Sequence, residues 1–111
     1  MDYNFINMNE ITVQELKEKI DKGEDFQLID VREDFEYETS NLGGQLIPLG
    51  GVLIESEKIS KDKPVVVMCR SGKRSAAAIM QLEQQGFTNL SNLRGGILAW
   101  QAEIDPELNV Y

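Results

Sequence analysis

The hydrophobic pattern is clearest at Val65-Val66-Val67-Met68, four apolar residues in a row, entered from Pro64 and left through a charged run. A short uncharged run rich in β-branched residues predicts a strand buried on both faces, hence a central one. Downstream, Ala76, Ile79, Met80 and Leu82 recur at helical spacing, predicting a helix over 74–85 that Gly86 stops. Near the start, Thr12 and Glu15 have the spacing of a capping box, Val13, Leu16 and Ile20 follow on one helical face, and Gly23 suits the stop. Phe26 to Val31 predicts a second buried strand and Asp34 to Thr39 a short acid-rich helix. Gln45 to Pro48 predicts a brief strand ended by its proline. Val52 to Ile59 predicts a helix with Leu53, Ile54 and Ile59 as its apolar positions. Asn89 to Leu93 predicts a last strand, followed by Gly95-Gly96 and a helical segment ending near Trp100.

Strands alternating with helices imply an α/β fold, a parallel sheet covered by helices on both faces. A length of 111 residues is that of one domain, residues 1–111, and no linker, repeat or low-complexity tract divides it. Composition narrows the chemistry. The chain has no histidine and one cysteine. That closes Ser-His and Cys-His pairs, imidazole metal ligation, internal disulfides, Cys-x-x-Cys redox pairs and thiolate zinc cages. The net charge of −8 is unevenly spread: residues 1–38 hold 12 acids and 4 bases, whereas residues 39–111 hold 7 of each. The acidity argues against nucleic acid as a ligand, which needs a basic footprint. Met1 to Ile6 shows neither a basic n-region nor a signal-like apolar stretch, and the apolar runs are far short of the roughly 20 residues of a membrane span. A soluble cytoplasmic protein with a reduced thiol is expected.

Against that acidic background, residues 64–100 carry one acid, Glu83, against Arg70, Lys73, Arg74 and Arg94. Three of these bases follow the only cysteine in Cys69-Arg70-Ser71-Gly72-Lys73-Arg74-Ser75, between the strongest strand and the strongest helix. Ligands of open parallel sheets bind at the carboxyl ends of strands. A tight turn there points backbone N–H groups inward, and the helix that follows adds its unsatisfied donors. Gly72 permits a backbone conformation closed to other residues. Each of these features, with the three cations, favours thiolate over thiol, so Cys69 is expected to be reactive without a neighbouring base. A cysteine ending a buried strand is by itself more often inert packing. Three bases and a glycine in the next five positions argue otherwise. The run is no P-loop: Val67 stands where that motif needs glycine and Arg74 where it needs Ser or Thr. No G-x-G-x-x-G occurs, so a nucleotide cofactor is unsupported. The pairs Gly43-Gly44, Gly50-Gly51 and Gly95-Gly96 are most simply turns.

Four ordered pieces resemble the rhodanese-like family: Leu28-Ile29-Asp30-Val31-Arg32-Glu33 with Glu36-Tyr37; Gly44 to Pro48; Val65 to Ser75; and Leu93-Arg94-Gly95-Gly96 with Ala99-Trp100. Together they span a core of about residues 10–101. The resemblance implies a three-layer fold around a parallel sheet, and sulfane-sulfur transfer through a persulfide on the loop cysteine. Carried over, Cys69 is the sulfur carrier, the backbone from Arg70 through Ser71 and Gly72 to Arg74 is the cradle, and Arg70 and Lys73 meet the anionic donor. Arg74 and Ser75 close the loop and begin the helix; Asp30 and Arg32 are structural support. No metal or organic cofactor is implied. The expected partners are a small donor such as thiosulfate or a persulfide, and an external thiol, cyanide or sulfur-carrier protein as acceptor.

The family's Gly-His-Ile-Pro-Gly-Ala run is replaced by Ser40-Asn41-Leu42-Gly43-Gly44-Gln45, which leaves the path of residues 39–50 open. Four residues separate Cys69 from Arg74, a six-residue loop like that of the family's sulfurtransferases. Related phosphatases and arsenate reductases carry one residue more, and no carboxylate in or beside the loop offers a general acid. A second class of function is a docking or sensing module that uses the acidic stretch from Asp2 to Glu38, including Glu33, Asp34, Glu36 and Glu38, to recruit a basic partner.

Overall fold

The computed structural model describes residues 8–111; the expectation for Met1 to Ile6 lies outside them. Five parallel strands form one sheet in the order β1-β5-β4-β2-β3, comprising β1 (Glu10–Ile11), β2 (Gln27–Asp30), β3 (Gln45–Leu46), β4 (Val65–Met68) and β5 (Leu90–Leu93). Four helices connect and cover them: α1 (Val13–Asp21), α2 (Asp34–Thr39), α3 (Lys73–Glu83) and α4 (Gly96–Glu103). The α/β architecture with a central parallel sheet is as the alternation predicts.

β4 is the middle strand, pairing with β2 through Ile29↔Val67 and Asp30↔Met68 and with β5 through Val67↔Asn92. All four of its residues are buried. Their side chains alternate between faces, as the period-2 pleat requires. Val65 and Val67 join a core with Ile79 and Leu82 of α3, whereas Val66 and Met68 join a second core with Leu16 of α1 and Ile97 of α4. Cys69 continues the alternation and falls on the α3 side. Thus the hydrophobic register of β4 decides on which face the sulfur emerges.

Local signals set most element boundaries. In the α1 cap, Thr12 N–H donates to Glu15 Oε1 at 2.8 Å and Glu15 N–H to Thr12 Oγ1 at 3.1 Å. Gly23 N–H closes on Ile20 O at 3.0 Å, ending α1 where the glycine suggests, and Gly86 N–H closes on Glu83 O at 3.0 Å just beyond α3. α3 starts one residue earlier than the pattern suggests and stops at Glu83, and α4 continues past Trp100 to Glu103. Met80, expected inward, is only half-buried, and Ala78 is buried in its place.

The predicted helix over 52–59 is not there. The chain forms two 3₁₀ turns, Leu49–Gly51 and Ser56–Lys58. Val52 and Ile59 reach the core, while Leu53 is 44% and Ile54 83% exposed. Two buried anchors do not offset the cost of nucleating an α-helix, and i→i+3 turns satisfy the backbone one turn at a time. β1 has no counterpart in the pattern; its two residues pair with Asn92 and Leu93.

The variant stretch after α2 is a compact turn. Asn41 Oδ1 accepts from Gly43 N–H at 2.8 Å, Asn41 Nδ2 donates to Tyr37 O at 3.1 Å, and Tyr37 Oη donates to Gly44 O at 2.7 Å. The chain then enters β3 and passes Ile47 N–H to Asp30 O and Leu49 N–H to Val31 O, which prolongs the β2 edge.

α4 is docked against the end of β4 rather than laid loosely over the sheet. Ile97 N–H donates to Cys69 O at 3.0 Å and Leu98 N–H to Arg70 O at 3.1 Å. The close approach depends on Gly96, whose φ is +61° and whose absent Cβ would sit 2.5 Å from Cys69 O and against Arg70 O. Gly95-Gly96 is therefore a contact as well as a turn. Gly96→Ala is expected to lower stability by roughly 2–4 kcal/mol in urea unfolding. Gly50→Ala, whose Cβ would meet nothing within 4 Å, should change it by no more than about 0.5 kcal/mol. Equal effects would refute the packing role of Gly96.

Candidate active site

Cys69 leaves β4 at the carboxyl edge of the sheet, and the chain reverses through Arg70, Ser71 and Gly72 into α3. The reversal requires φ +106° at Gly72, where a Cβ would meet nothing nearer than 3.6 Å. Here conformation, not space, calls for glycine. The turn aims Gly72 N–H at Cys69 Sγ, 3.0 Å away, and the first turn of α3 adds Ser75 N–H at 3.4 Å. Ser75 Oγ lies 3.4 Å from the same sulfur. Cys69 is a free cysteine and only 1% exposed.

The flanking side chains divide in two. Ser71 and Lys73 are exposed and, with Gly72, line a cleft of about 540 Å³ that also takes in Asn92, Arg94 and Gly95. Arg70, also exposed, donates from Nε to Tyr111 O at 2.9 Å. The Tyr111 ring meets Phe35 edge-on, with centroids 4.8 Å apart. Arg74 turns toward α2, where Nη1 and Nη2 each donate at 2.8 Å to the two oxygens of Glu36.

Glu36 is buried, although the sequence places it within an acidic stretch that reads as solvated or partner-binding. Only Glu33, Asp34 and Glu38 of that group are exposed. Glu36 Oε1 also accepts from Glu33 N–H at 2.9 Å at the start of α2. The bidentate bond from Arg74 is the main reason its carboxyl is lowered from 4.5 to about 2, against burial, which pulls upward. The same bond raises Arg74. A carboxylate held in this way has no proton to give at neutral pH, so Glu36 is an anchor. Its only sequence signal is the Glu36-Tyr37 pair.

Asp30 and Arg32 come together one layer below. Arg32 donates from Nε to Asp30 Oδ1 at 3.0 Å and from Nη2 to Asp30 Oδ2 at 2.8 Å, and both residues are buried. Nη2 also reaches Ser40 O at 2.9 Å, tying the end of β2 to the exit of α2. Glu36 is thus positioned by a charged frame on its own side of the loop.

Asn92, on β5, is a site residue that no local pattern marks. It is buried; Nδ2 donates to Gly72 O at 3.1 Å and Oδ1 accepts from Ser75 Oγ at 2.6 Å. The described residues contain no cluster of three or more His, Cys, Asp or Glu able to hold a metal ion. No described helix is long and apolar enough to cross a membrane.

Comparison with known proteins fits this geometry. The Rhodanese-like domain family matches residues 12–103. The chain belongs to the rhodanese-like family. A putative sulfurtransferase, YtwF, of Bacillus subtilis is 39% identical, with 92% of this chain and 99% of the relative covered. The probable adenylyltransferase/sulfurtransferase MoeZ of Mycobacterium tuberculosis is 37% identical over 91% of this chain, which spans only 26% of that protein. Among solved structures, a rhodanese-like domain protein from Staphylococcus aureus superposes with a TM-score of 0.79 at 30% identity, covering 94% of this chain and 99% of its own. The rhodanese-like fold is shared along nearly the whole length.

The Glu36–Arg74 pair should make stability depend on pH. The folded carboxyl is lowered to about 2 from an ordinary 4.5, so the stabilisation is complete above 4.5 and is lost as pH falls from there towards 2. Glu36→Gln is expected to cost roughly 2 kcal/mol at pH 7, allowing for the partial exposure of Arg74. The gap to the unmutated protein in urea unfolding should close as pH falls from 4.5 to 2.5. A gap that stays constant would show that the pair does not titrate as described.

Proposed function

We propose that this rhodanese-like domain is a sulfurtransferase that carries sulfane sulfur on Cys69. The observation that carries the reading is the sulfur's setting: a lone cysteine at a strand end, with Gly72 N–H and Ser75 N–H both directed at Sγ. Backbone donors stabilise negative charge on sulfur without any base, which a chain lacking histidine needs. Relatives named as sulfurtransferases, one matched along 99% of its length, support the same class of activity.

In the first half of the cycle, the Cys69 thiolate attacks the outer sulfur of thiosulfate. The sulfur–sulfur bond of the donor breaks as Sγ–S forms, and sulfite leaves with the electron pair. The product is a persulfide whose outer sulfur carries the negative charge. In the second half, cyanide, a thiol or a sulfur-carrier protein attacks that outer sulfur and releases the Cys69 thiolate. Lys73, exposed at the cleft beside the turn, suits an anionic donor, while Arg94 on the same cleft is paired with Glu10 at 3.1 Å. Cys69 is buried, so transfer requires the donor to gain access to Sγ past the Arg70–Gly72 turn. The acceptor is external because the chain offers no second cysteine.

A phosphatase or arsenate reductase is disfavoured on two grounds. The loop is short for a tetrahedral oxyanion, and the carboxylates of Glu36 and Glu10 are each bound to an arginine, Arg74 and Arg94. Docking through the acidic stretch is weakened because Glu36 faces inward.

Incubation with thiosulfate should add the mass of one sulfur atom to the intact protein, and cyanide should remove it as thiocyanate. Cys69→Ser should abolish both. A protein that gains no sulfur from thiosulfate or from a low-molecular-weight persulfide would sink the proposal.

A further inference from the structure

We propose that Asn92 is a positioning residue that fixes the direction of the hydrogen bond between Ser75 and Cys69, and thereby restrains release of the Cys69 thiolate. The inference rests on the sulfur-transfer reading for its consequence, though not for its geometry. Gly72 O can only accept, so the Asn92 group facing it at 3.1 Å is the amide nitrogen. The amide oxygen then faces Ser75 Oγ at 2.6 Å and can only accept in turn. The single hydroxyl hydrogen of Ser75 is therefore committed to Asn92. Toward Cys69 Sγ, 3.4 Å away, Ser75 presents a lone pair.

A thiol suits that arrangement, because S–H donates to Ser75 Oγ. A thiolate does not. It accepts from Gly72 N–H and Ser75 N–H but meets an oxygen lone pair on the third side. To donate to the thiolate, the hydroxyl must rotate, and Asn92 Oδ1 then loses its donor inside a buried site. Asn92 thus withholds one charge-assisted hydrogen bond from the anion. In the cycle proposed above, the thiolate is both the attacking group and the group released when an acceptor takes the sulfur. Restraining it makes the persulfide a slower-discharging carrier.

The test compares Asn92→Ala, Asn92→Asp and Ser75→Ala, singly and with Asn92→Ala combined with Ser75→Ala. Two rates are followed by mass: alkylation of Cys69 by iodoacetamide at neutral pH, and discharge of the preloaded persulfide to cyanide. In Asn92→Ala the freed hydroxyl turns to the sulfur, and both rates should rise about tenfold, the worth of one hydrogen bond to a charged group. The rise should vanish in the Ser75→Ala background. Asn92→Asp still accepts from Ser75 and brings negative charge near the sulfur, so both rates should fall. If Asn92→Ala does not fold, Asn92→Leu, close in size and without polar atoms, takes its place with the same expectation.

The proposal is overturned if removing the Asn92 amide changes alkylation equally with and without the Ser75 hydroxyl, since Asn92 would then only brace the loop. It is also overturned if the Ala and Asp variants move together, or if the Ala variant is not faster. If the unmutated protein takes up no sulfur while the alkylation pattern holds, sulfur transfer fails and the hydrogen-bond assignment stands.

Discussion

The carbonyls of Cys69 and Arg70 are held by the first amides of α4, and the site depends on that engagement. A tight turn after a strand has carbonyls and N–H groups competing for the same interior. Here Ile97 and Leu98 take the two carbonyls from one side. The next donors in the turn are then left to face the sulfur from the other, with Gly72 N–H at 3.0 Å. The engagement is possible only because Gly96 has no side chain, so a residue 27 positions downstream sets the geometry around Cys69. The sheet supplies the rest, as β4 and β5 are neighbours and place the start of α3 beside the start of α4.

Charge is distributed to the same end. The acidic first third of the chain looks like a solvated face, yet Asp30 and Glu36 within it are buried and each holds an arginine. The Asp30–Arg32 pair fixes the exit of β2 to Ser40 and the backbone of α2. Glu36, carried on that helix, then draws Arg74 sideways at the head of α3. Pairs of this kind add stability where the attraction outweighs desolvation, as it does for Glu36, whose carboxyl is lowered to about 2. Their effect here is positional: Arg74 is held in one place, while Lys73 next to it is left exposed at the cleft.

The parts legible in the sequence are those whose causes are local. Val65 to Met68 predicts a central strand because nothing in it tolerates water on either face, and Gly72 marks a reversal because its neighbours require one. Thr12 and Glu15 announce α1 through bonds spanning three residues. What could not be read locally is set by partners distant in the chain. Glu36 belongs with Arg74, 38 positions on, and Asn92 with Gly72, 20 positions back. Neither has a periodicity to betray it. β1 is too short to show a pattern and exists as the partner of β5. The 52–59 segment failed for the opposite reason: its apolar residues suggest a helix, but only Val52 and Ile59 find a core to enter.

The absence of histidine takes on a specific meaning in this setting. Among the described residues, the polar groups within hydrogen-bond distance of Sγ are two backbone N–H groups and one serine hydroxyl. The amides can only donate and do not titrate in any working range, so their support for negative charge is constant. The hydroxyl alone can act in either direction, and it is the one group whose direction a further residue governs. A cysteine activated by imidazole gains or loses its partner's charge with pH. In this site the adjustable element is instead the orientation of a single O–H bond, set by a neutral amide on the adjacent strand. Such control costs no charge in the interior and leaves the anchoring ion pair of Arg74 undisturbed. That control also lies in β5, outside the turn that carries Cys69.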